Sequence, residues 1–284
     1  MPVTFAPGGK PDSYGNRKFP EGLPEYLAGF GLNGFEIECG RGISISDNTY
    51  NLLPALSEKH NIYLSVHAPY YISVSSENAS IREKSVGYIL ETARAAKRIK
   101  AEKIVVHSGS CSKMSRGEAL NLALDTFRGA RAALDAHGLE DVIICPETMG
   151  KINQLGTTEE VLELCAFDER MIPCVDFGHL NARTHGGIRS AANYAAVFDA
   201  VEKKLGFERL RRLHIHFSKI RYTAGGEKKH LTFDEDAREN FGPDYEPLMA
   251  EIFKRGLNPS VVCESQGTQA EDCAVMAKYY WGLS

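Results

Sequence analysis

The sequence predicts an α/β protein built as a single (β/α)8 barrel, the TIM-barrel architecture, and three observations lead to that fold class. Short apolar, β-branched segments alternate with longer amphipathic ones, which is typical of parallel strands connected by helices. Eight segments of the strand type occur, and eight parallel strands close a barrel of about 250 residues. No linker or low-complexity tract divides the 284 residues, so we predict one domain over residues 1–284.

The predicted elements follow one another regularly. The strands are VTFAP near residue 3, FEIEC at 35, IYLSVHA at 62, KIVVHSG at 103, DVIICPE at 141, IPCVDFG at 172, LRRLHIHF at 210 and PSVVCES at 259. In the predicted helix SIREKSVGYILETARAAKRI, apolar residues recur at three- and four-residue spacing, and Ser80 with Glu83 forms a capping-box pattern. An open doubly wound sheet is the alternative, but no GxGxxG motif follows the first strand. The glycine-containing segment 222–229 is predicted to be a functional loop.

Composition narrows the class of protein. The formal net charge of −4 argues against nonspecific coating of nucleic acid, which needs many cations, although a local basic rim is compatible with it. The seven cysteines include no CxxC pair, which fits reduced thiols better than a disulfide framework or a zinc finger. No apolar run approaches the roughly 20 residues that span a bilayer, and no signal-peptide core is present. We therefore expect a cytoplasmic protein without a membrane segment.

Residue types that bind metals recur at the ends of the predicted strands from the third to the eighth, or close to them. They are His67, His107, Glu147, Asp176, His179, His214, His230 and Glu264. The C-terminal strand ends of a β/α barrel open onto one face, where the active site is built, so these side chains are expected to converge. Each one alone is more often a hydrogen-bonded or solvated residue. Burying so many ionisable groups together is costly without metal ions, and imidazole with carboxylate suits Zn²⁺ or Mn²⁺.

Six strings of the sequence resemble the endonuclease IV family of abasic-site endonucleases, and the resemblance covers most of the chain. They are SVHAPYYIS, IVVHSGS, PETMGKINQLGT, CVDFGHLNA, LHIHFSK and CES. The resemblance implies a hydrolase of DNA repair that cuts double-stranded DNA on the 5′ side of abasic sites. It also implies two or three zinc ions as cofactors, and a monomer suffices for this activity.

The resemblance distributes the ligand-type residues over three zinc ions. The first would be held by His67, His107 and Glu147, the second by Asp176, His214 and Glu264 with Glu147 bridging, and the third by His179 and His230. Glu147 and Glu264 are the catalytic residues in this assignment. Glu264 would orient or deprotonate the attacking water while it binds metal.

Residues that contact the substrate are expected on the same face of the barrel. Tyr70 matches a tyrosine in the family's abasic-site-binding loop, and the KINQLG segment, with Lys151 and Asn153, matches another DNA-contacting loop. Arg183 and Lys219 belong to a group of basic residues that follow strands and would form a phosphate-binding rim. Solvated surface charge is the ordinary alternative for each of these basic residues.

Two positions depart from the family pattern. The third zinc of the family is also held by an aspartate two residues before the loop histidine, and here Lys228 stands two residues before His230. Glu227 is one residue away and substitutes if the loop is re-registered; otherwise the third site is empty, weak or replaced by the lysine ammonium. The family usually has asparagine where His216 stands. Because His216 lies two residues from His214, it points to the same side and is an extra ligand or a substrate contact.

Two other functions compete with the endonuclease. A sugar isomerase or epimerase of the xylose-isomerase-like superfamily would use one divalent ion held by glutamate, aspartate, histidine and glutamate from strands five to eight, a set that this sequence also contains. His67 and His107 discriminate between the two, because an enzyme with one ion does not need them. A catalytically silent barrel that binds DNA or a metal is the third possibility, and the retained ligand-type residues argue against it.

Overall fold

In a computed structural model, which describes residues 2–283, all eight predicted strands form and run parallel around a nearly closed barrel. They are β1 (Thr4–Pro7), β2 (Gly34–Glu38), β3 (Tyr63–His67), β4 (Lys103–His107), β5 (Ile143–Glu147), β6 (Cys174–Asp176), β7 (His214–Phe217) and β10 (Ser260–Cys263). Neighbouring strands pair in the order β1-β10-β7-β6-β5-β4-β3-β2. The prediction of a (β/α)8 barrel is confirmed.

The barrel closes between β1 and β2 without a full ladder of hydrogen bonds. An isolated bridge joins Gly8 to Glu36, and Asn33 Oδ1 accepts a hydrogen bond from the backbone N–H of Phe5 over 2.8 Å. The two strands approach closely at Gly34, where a Cβ atom would lie 2.6 Å from Cγ2 of Thr4. A glycine is therefore needed at position 34, because any side chain there would push the closing strands apart.

Helices cover the outside of the barrel between successive strands. They are α1 (Leu23–Phe30), α2 (Asp47–His60), α3 (Ala79–Ile99), α4 (Arg116–Ala136), α5 (Thr158–Ala166), α6 (Phe177–Arg183), α7 (Ala191–Leu205), α8 (Phe207–Arg211), α9 (Phe233–Glu239), α10 (Tyr245–Lys254) and α11 (Gln269–Trp281). The start of α3 corrects the sequence prediction. Asn78, and not Ser80, is the N-cap, and its side chain accepts a hydrogen bond from the N–H of Ser80 over 2.9 Å. No helix within residues 2–283 is long and apolar enough to cross a membrane.

An antiparallel hairpin that the sequence analysis treated as a loop follows β7. It consists of β8 (Lys219–Thr223) and β9 (Gly226–Leu231). A bridge between Lys151 and Gly226 attaches the hairpin to the loop that follows β5. At Gly226 the φ angle is +90°, and a Cβ atom would lie 2.2 Å from the carbonyl oxygen of Gly150, so the attachment requires glycine there. The hairpin thereby lies beside the C-terminal ends of the barrel strands.

A buried lysine lies at the opposite end of the barrel. Lys103 is 3% exposed, and its Nζ donates hydrogen bonds to the carbonyl oxygens of Arg212 and Leu213 over 2.7 and 3.4 Å, and to Oγ of Ser260 over 3.2 Å. Burial lowers the pKa of Lys103. The ammonium group donates to backbone carbonyls before β7 and to a hydroxyl of β10, and so connects β4 to these two strands.

Candidate metal centre

A cavity of about 720 Å³ lies at the C-terminal ends of the strands. Its lining includes His67 and His107 from the barrel, Met149 from the loop after β5, and Lys228 and His230 from the hairpin. A cavity of about 730 Å³ lies at the opposite end, beside Glu102, Asp141 and Arg212, so volume does not distinguish the two faces. What distinguishes the C-terminal face is its histidine and carboxylate side chains, as expected for the active-site face of a β/α barrel. Five groups of possible metal ligands occur among the described residues: three are described below, and the other two are Cys174, His214 and His216, and Glu36, Glu38 and Glu264.

The first cluster unites the ends of β3, β4 and β5. Nε2 of His67 lies 3.5 Å from Oε2 of Glu147, and Nε2 of His107 lies 3.4 Å from the same oxygen. Nδ1 of His67 is 2.8 Å from the carbonyl oxygen of Ala68. Because a carbonyl only accepts, Nδ1 carries the proton and the Nε2 lone pair of a neutral His67 faces Glu147. This arrangement fits a cation among the three side chains.

The second cluster shares Glu147 with the first. It consists of Glu147, Asp176, His216 and Glu264, whose ligand atoms lie within 4.8 Å of one another. Nδ1 of His216 is 3.1 Å from Oε1 of Glu264 and 3.5 Å from Oε1 of Glu147. Oδ1 of Asp176 accepts a hydrogen bond from the N–H of His179 over 2.7 Å at the start of α6. The other carboxylate oxygen of Asp176 is left for the cluster.

His216 takes the place that the sequence analysis gave to His214. In the parallel ladder, Asp176 is level with His216, whereas His214 is level with Cys174, one pair deeper in the barrel. His214 is fully buried, and its Nε2 lies 2.8 Å from Oε2 of Glu36. The placement of His214 among the ligands of the second metal is therefore corrected to His216. The stagger between neighbouring strands decides which of the two histidines reaches the cluster. The alternation of side chains along a single strand does not reveal that stagger.

The third cluster joins α6 to the hairpin. It consists of His179, Glu227 and His230. Nε2 of His179 lies 3.4 Å from Oε2 of Glu227, and Nε2 of His230 lies 3.9 Å from Oε1 of Glu227. Lys228 is exposed and has no partner in the ladder, which pairs Glu227 with Tyr222 and Lys229 with Arg221. This β-bulge lets Glu227 and His230 join the same cluster although they are three residues apart. Of the alternatives for the third site, the structure favours the one in which Glu227 substitutes for the family's aspartate.

Comparison with known proteins agrees with this architecture. Residues 24–279 match the family described as Xylose isomerase-like TIM barrel. The chain belongs to this family. It is 30% identical, over 255 residues and 90% of each chain, to an uncharacterized protein of Methanocaldococcus jannaschii.

Relatives named as probable endonuclease 4 confirm the resemblance found in the motifs. The protein of Mycoplasma pneumoniae is 29% identical over 172 residues, which are 58% of this chain and 57% of that protein. The chain thus spans little more than half the length of this relative.

Solved structures of two kinds share the barrel. A D-tagatose 3-epimerase-like protein superposes with a TM-score of 0.70 at 19% identity, over 99% of this chain and 98% of the other. Endonuclease IV from Thermus thermophilus superposes with a TM-score of 0.68 at 20% identity, over 98% of each chain. At these identities the likeness shows the fold alone, so the clusters themselves must distinguish among functions within the xylose isomerase-like family.

The electrostatics of this xylose isomerase-like barrel indicate a site for cations. Burial opposes ionisation of Glu264, but His216 outweighs it and holds the pKa of Glu264 at about 2. Burial raises the pKa of Asp176 to about 6 and lowers that of His107 to about 4. Burial opposes protonation of His67, but Glu38 and Glu147 raise its pKa to about 10, so without a metal ion protonated histidine pairs with carboxylate. A metal ion would replace such protons, because it binds neutral imidazole and ionised carboxylate.

Buried polar atoms without hydrogen-bond partners test whether these residues could bind metal ions. Oε2 of Glu147, Oδ2 of Asp176 and Nδ1 of His216 are buried and have no hydrogen-bond partner within the described chain. Unpaired buried polar atoms are costly, and these are carboxylate oxygens and an imidazole nitrogen that face one another. Divalent ions such as Zn²⁺ bind this donor set, so the residues fit the implied metal.

Two of the predicted substrate contacts line the cavity. The ring of Tyr70, which is 59% exposed, stacks on His107 with 5.5 Å between ring centroids. Lys151 also lines the cavity. Asn153 does not: its side chain donates to the carbonyl oxygen of Ser112 over 3.4 Å, and Gln154 lines the cavity instead. Tyr70 and Lys151 therefore stay candidates for substrate contact, and Gln154 is added.

Arg183 and Lys219 do not belong to the rim that the sequence analysis expected. The guanidinium of Arg183 donates to the carbonyl oxygens of Met149, Lys151 and Gln154 over 2.6–2.8 Å, so it holds the loop after β5. Lys219 is 8% exposed, and its Nζ lies 3.3 Å from carboxylates of two acidic residues, Asp236 and Asp244. Both cations are used within the fold, and neither lines the cavity.

Glu36 and Glu38 are functional candidates to which the sequence analysis gave no role. Glu38 lines the cavity, and burial raises its pKa to about 7. Glu36 is fully buried below it and contacts both histidines of β7. Their alternation along the second predicted strand was the available signal, because it directs both side chains inward where a charge needs a partner.

Proposed function

We propose that the chain is a metal-dependent phosphodiesterase that cleaves DNA on the 5′ side of abasic sites. The observation that carries the proposal is the sharing of Glu147 between two ligand clusters, with a third cluster alongside. An enzyme with one ion needs only Glu147, Asp176, His216 and Glu264, and has no use for His67 and His107. The endonuclease 4 relatives support the same conclusion over about half the chain.

The first two clusters would hold two ions, and the cluster of His179, Glu227 and His230 would hold a third. When bound, Zn²⁺ or Mn²⁺ supplies Lewis-acid charge beside a phosphate and lowers the pKa of water. The cluster residues fix where that charge lies. Glu147, which is 1% exposed, contacts histidines of all three clusters. These contacts fix its side chain, because a buried carboxylate that lost its partners would be costly.

Glu264 is the carboxylate best placed to act on the attacking water. Its side chain is 16% exposed, whereas those of Glu147 and Asp176 are 1% and 0% exposed, so it is the member of the second cluster that solvent reaches. It accepts a proton from the water as the water oxygen bonds to phosphorus. The bond from phosphorus to the 3′ oxygen breaks, and that oxygen takes up a proton to become a hydroxyl.

Other residues of the cavity bind and orient the substrate. Lys151 and Lys228 place ammonium groups near the hairpin, where they attract the phosphates on either side of the lesion. Tyr70 presents its ring face beside His107 for packing against the deoxyribose or a neighbouring base. An abasic sugar enters the cavity at the least cost, because no base has to be unstacked.

The test uses the zinc-loaded protein and a duplex oligonucleotide that carries one stable abasic analogue. We expect cleavage at the 5′ side of the analogue, no cleavage of the intact duplex, and loss of activity in EDTA. Glu264→Gln is expected to abolish cleavage while circular dichroism and the melting temperature stay as in the wild type. Undiminished turnover by this variant would show that Glu264 is not catalytic. Absence of cleavage by the metal-loaded wild type would contradict the nuclease function.

A sugar isomerase or epimerase is the second candidate. Glu147, Asp176, His216 and Glu264 would hold a single ion, and the two glutamates would be suited to proton transfer beside a sugar carbonyl. Glu38 adds a carboxylate to the same cavity, where it would accept hydrogen bonds from sugar hydroxyls better than it would tolerate phosphate. Incubating the metal-loaded protein with a panel of ketoses and aldoses, in parallel with the oligonucleotide, separates the two functions.

A further inference from the structure

Glu36 lies beneath the candidate metal centre and belongs to none of the clusters that meet at Glu147 or on the hairpin. It extends from β2 into the barrel interior and is fully buried. Its nearest charged or titratable partners are His214 and His216, which come from β7 on the other side of the barrel. A buried carboxylate in this position needs a reason, since unpaired burial of a charge is costly.

The contacts of Glu36 use both of its oxygens. Oε2 accepts a hydrogen bond from Oγ of Ser65 over 2.6 Å and lies 2.8 Å from Nε2 of His214. Oε1 lies 2.9 Å from Nε2 of His216, which is an ion-pair contact, since neither atom has a hydrogen-bond partner in the described chain. The hydroxyl of Ser65 donates to Oε2, and the two oxygens of Glu36 face the Nε2 atoms of His214 and His216 at 2.8 and 2.9 Å. The carboxyl group is thus placed to face an Nε2–H on each ring.

The opposite side of the His216 ring faces other carboxylates. Its Nδ1 is 3.1 Å from Glu264 and 3.5 Å from Glu147, and no hydrogen-bond partner satisfies Nδ1 within the described residues. Glu36 is already supplied with donors by Ser65 and His214. Three carboxyl groups, those of Glu147, Asp176 and Glu264, lie on the Nδ1 side of the ring. A cation is therefore accommodated on that side.

We propose that Glu36 is a positioning residue that keeps a proton on Nε2 of His216 and so directs the Nδ1 lone pair at the metal centre. From the proposed function this proposal takes only that the site binds a metal ion. The contacts of Glu36 themselves are present without the metal ion. A carboxylate behind a ligand histidine fixes the tautomer and the ring orientation, and its removal lowers metal affinity by about 10- to 100-fold in other proteins. His214 also meets Glu36 through Nε2, but it lies one pair deeper in the barrel, level with Cys174 and not with Asp176.

The first measurement is the protonation of His216 by long-range ¹H–¹⁵N correlation in the full chain, both metal-free and zinc-loaded. We expect Nε2 to carry a proton in both states, with Nδ1 bound to metal in the loaded one. A deprotonated Nε2 in either state would overturn the proposal. The metal-free spectrum decides the matter even if the protein binds no zinc at all, an outcome that would instead refute the proposed metal-dependent function.

The second measurement is zinc affinity by competition with a chelator. Glu36→Gln is expected to lower the affinity by about 10- to 100-fold, because an amide presents a donor to one histidine and loses the negative charge. Ser65→Ala is the matched control: it removes one donor from the same carboxylate but leaves Glu36 facing His216, so affinity should stay within about threefold. Wild-type affinity in a folded Glu36→Gln variant would contradict the proposal. If that variant does not fold, the wild-type spectra above still decide.

Discussion

Asp176 and His216 stand level with each other on neighbouring parallel strands, whereas His214 stands level with Cys174 one pair deeper. This register separates two histidines that look equivalent along the sequence. It assigns one to the acidic cluster under the cavity and the other to the interior of the barrel. Substitutions at the two positions should therefore have different consequences.

His216→Asn is expected to lower zinc affinity and turnover by more than about 100-fold, beyond the usual effect of losing an outer-shell partner. His214→Asn should retain zinc but lose a buried contact with Glu36, at a cost of about 1–3 kcal/mol in the free energy of unfolding. Metal content by mass spectrometry and urea titration measure the two effects. The reverse pattern would restore His214 as the ligand.

Glu227→Ala is expected to remove one equivalent of zinc, because Glu227 connects His179 and His230 in the third cluster. Lys228→Ala is the matched control on the same strand. It should keep the full metal content but weaken binding of DNA, with the slope of log affinity against log salt reduced by about one. Loss of metal in the lysine variant, with none in the glutamate variant, would show that the hairpin is paired in another register.

Removing metal is expected to destabilise the protein, because carboxylate oxygens and an imidazole nitrogen would face one another without a cation. A ligand present at 1,000 times its Kd stabilises the folded state by about 4 kcal/mol, and about 10 °C in Tm follows for a chain of this size. Calorimetry in EDTA and with zinc measures the difference. Identical melting in both conditions, with zinc shown to be in excess, would argue against resident metal.

A pH dependence is expected away from the cavity, at Arg170. Its guanidinium donates hydrogen bonds to Asp168 and Asp135 over 2.6–3.0 Å and lowers the pKa of both carboxyl groups. Groups with lowered pKa stabilise the fold above their unfolded pKa of about 3.9, and that contribution is lost as the pH falls through the folded pKa. Arg170→Gln should cost about 1 kcal/mol at pH 7, and the difference from wild type should shrink below about pH 4.

Denaturant midpoints at several pH values check this expectation. Arg128→Gln is the control for the lost charge, because its partner Asp125 is 70% exposed at the side chain and the pair should contribute little. A cost for Arg170→Gln that stays constant from pH 7 to pH 3 would show that the contribution comes from packing.

The barrel and the residues that meet at its open end were accessible from the sequence for a simple reason. Strand and helix periods alternate along the whole chain, and histidine, glutamate and aspartate occupy strand ends that a closed parallel barrel brings together. His67, His107, Glu147, Asp176 and Glu264 meet as expected because their positions depend only on where their strands end.

Other features depend on contacts that one strand does not reveal. The choice between His214 and His216 follows from the stagger of β6 against β7. Arg183 and Lys219 follow strands, as rim residues would. Arg183 nevertheless donates hydrogen bonds to nearby carbonyl oxygens, and Lys219 pairs with nearby carboxylates. The hairpin was not predicted because its strands are largely polar and form a sheet separate from the barrel, without the alternating apolar pattern of a strand on a core.

The pairing of β1 with β10 has a consequence for how the protein is made. A ribosome releases residues 4–7 long before residues 260–263, yet these strands are neighbours in the finished sheet. Glu264, which follows β10, emerges after every other member of the three clusters. A growing chain can therefore bring His67, His107 and Glu147 together before the second cluster is complete.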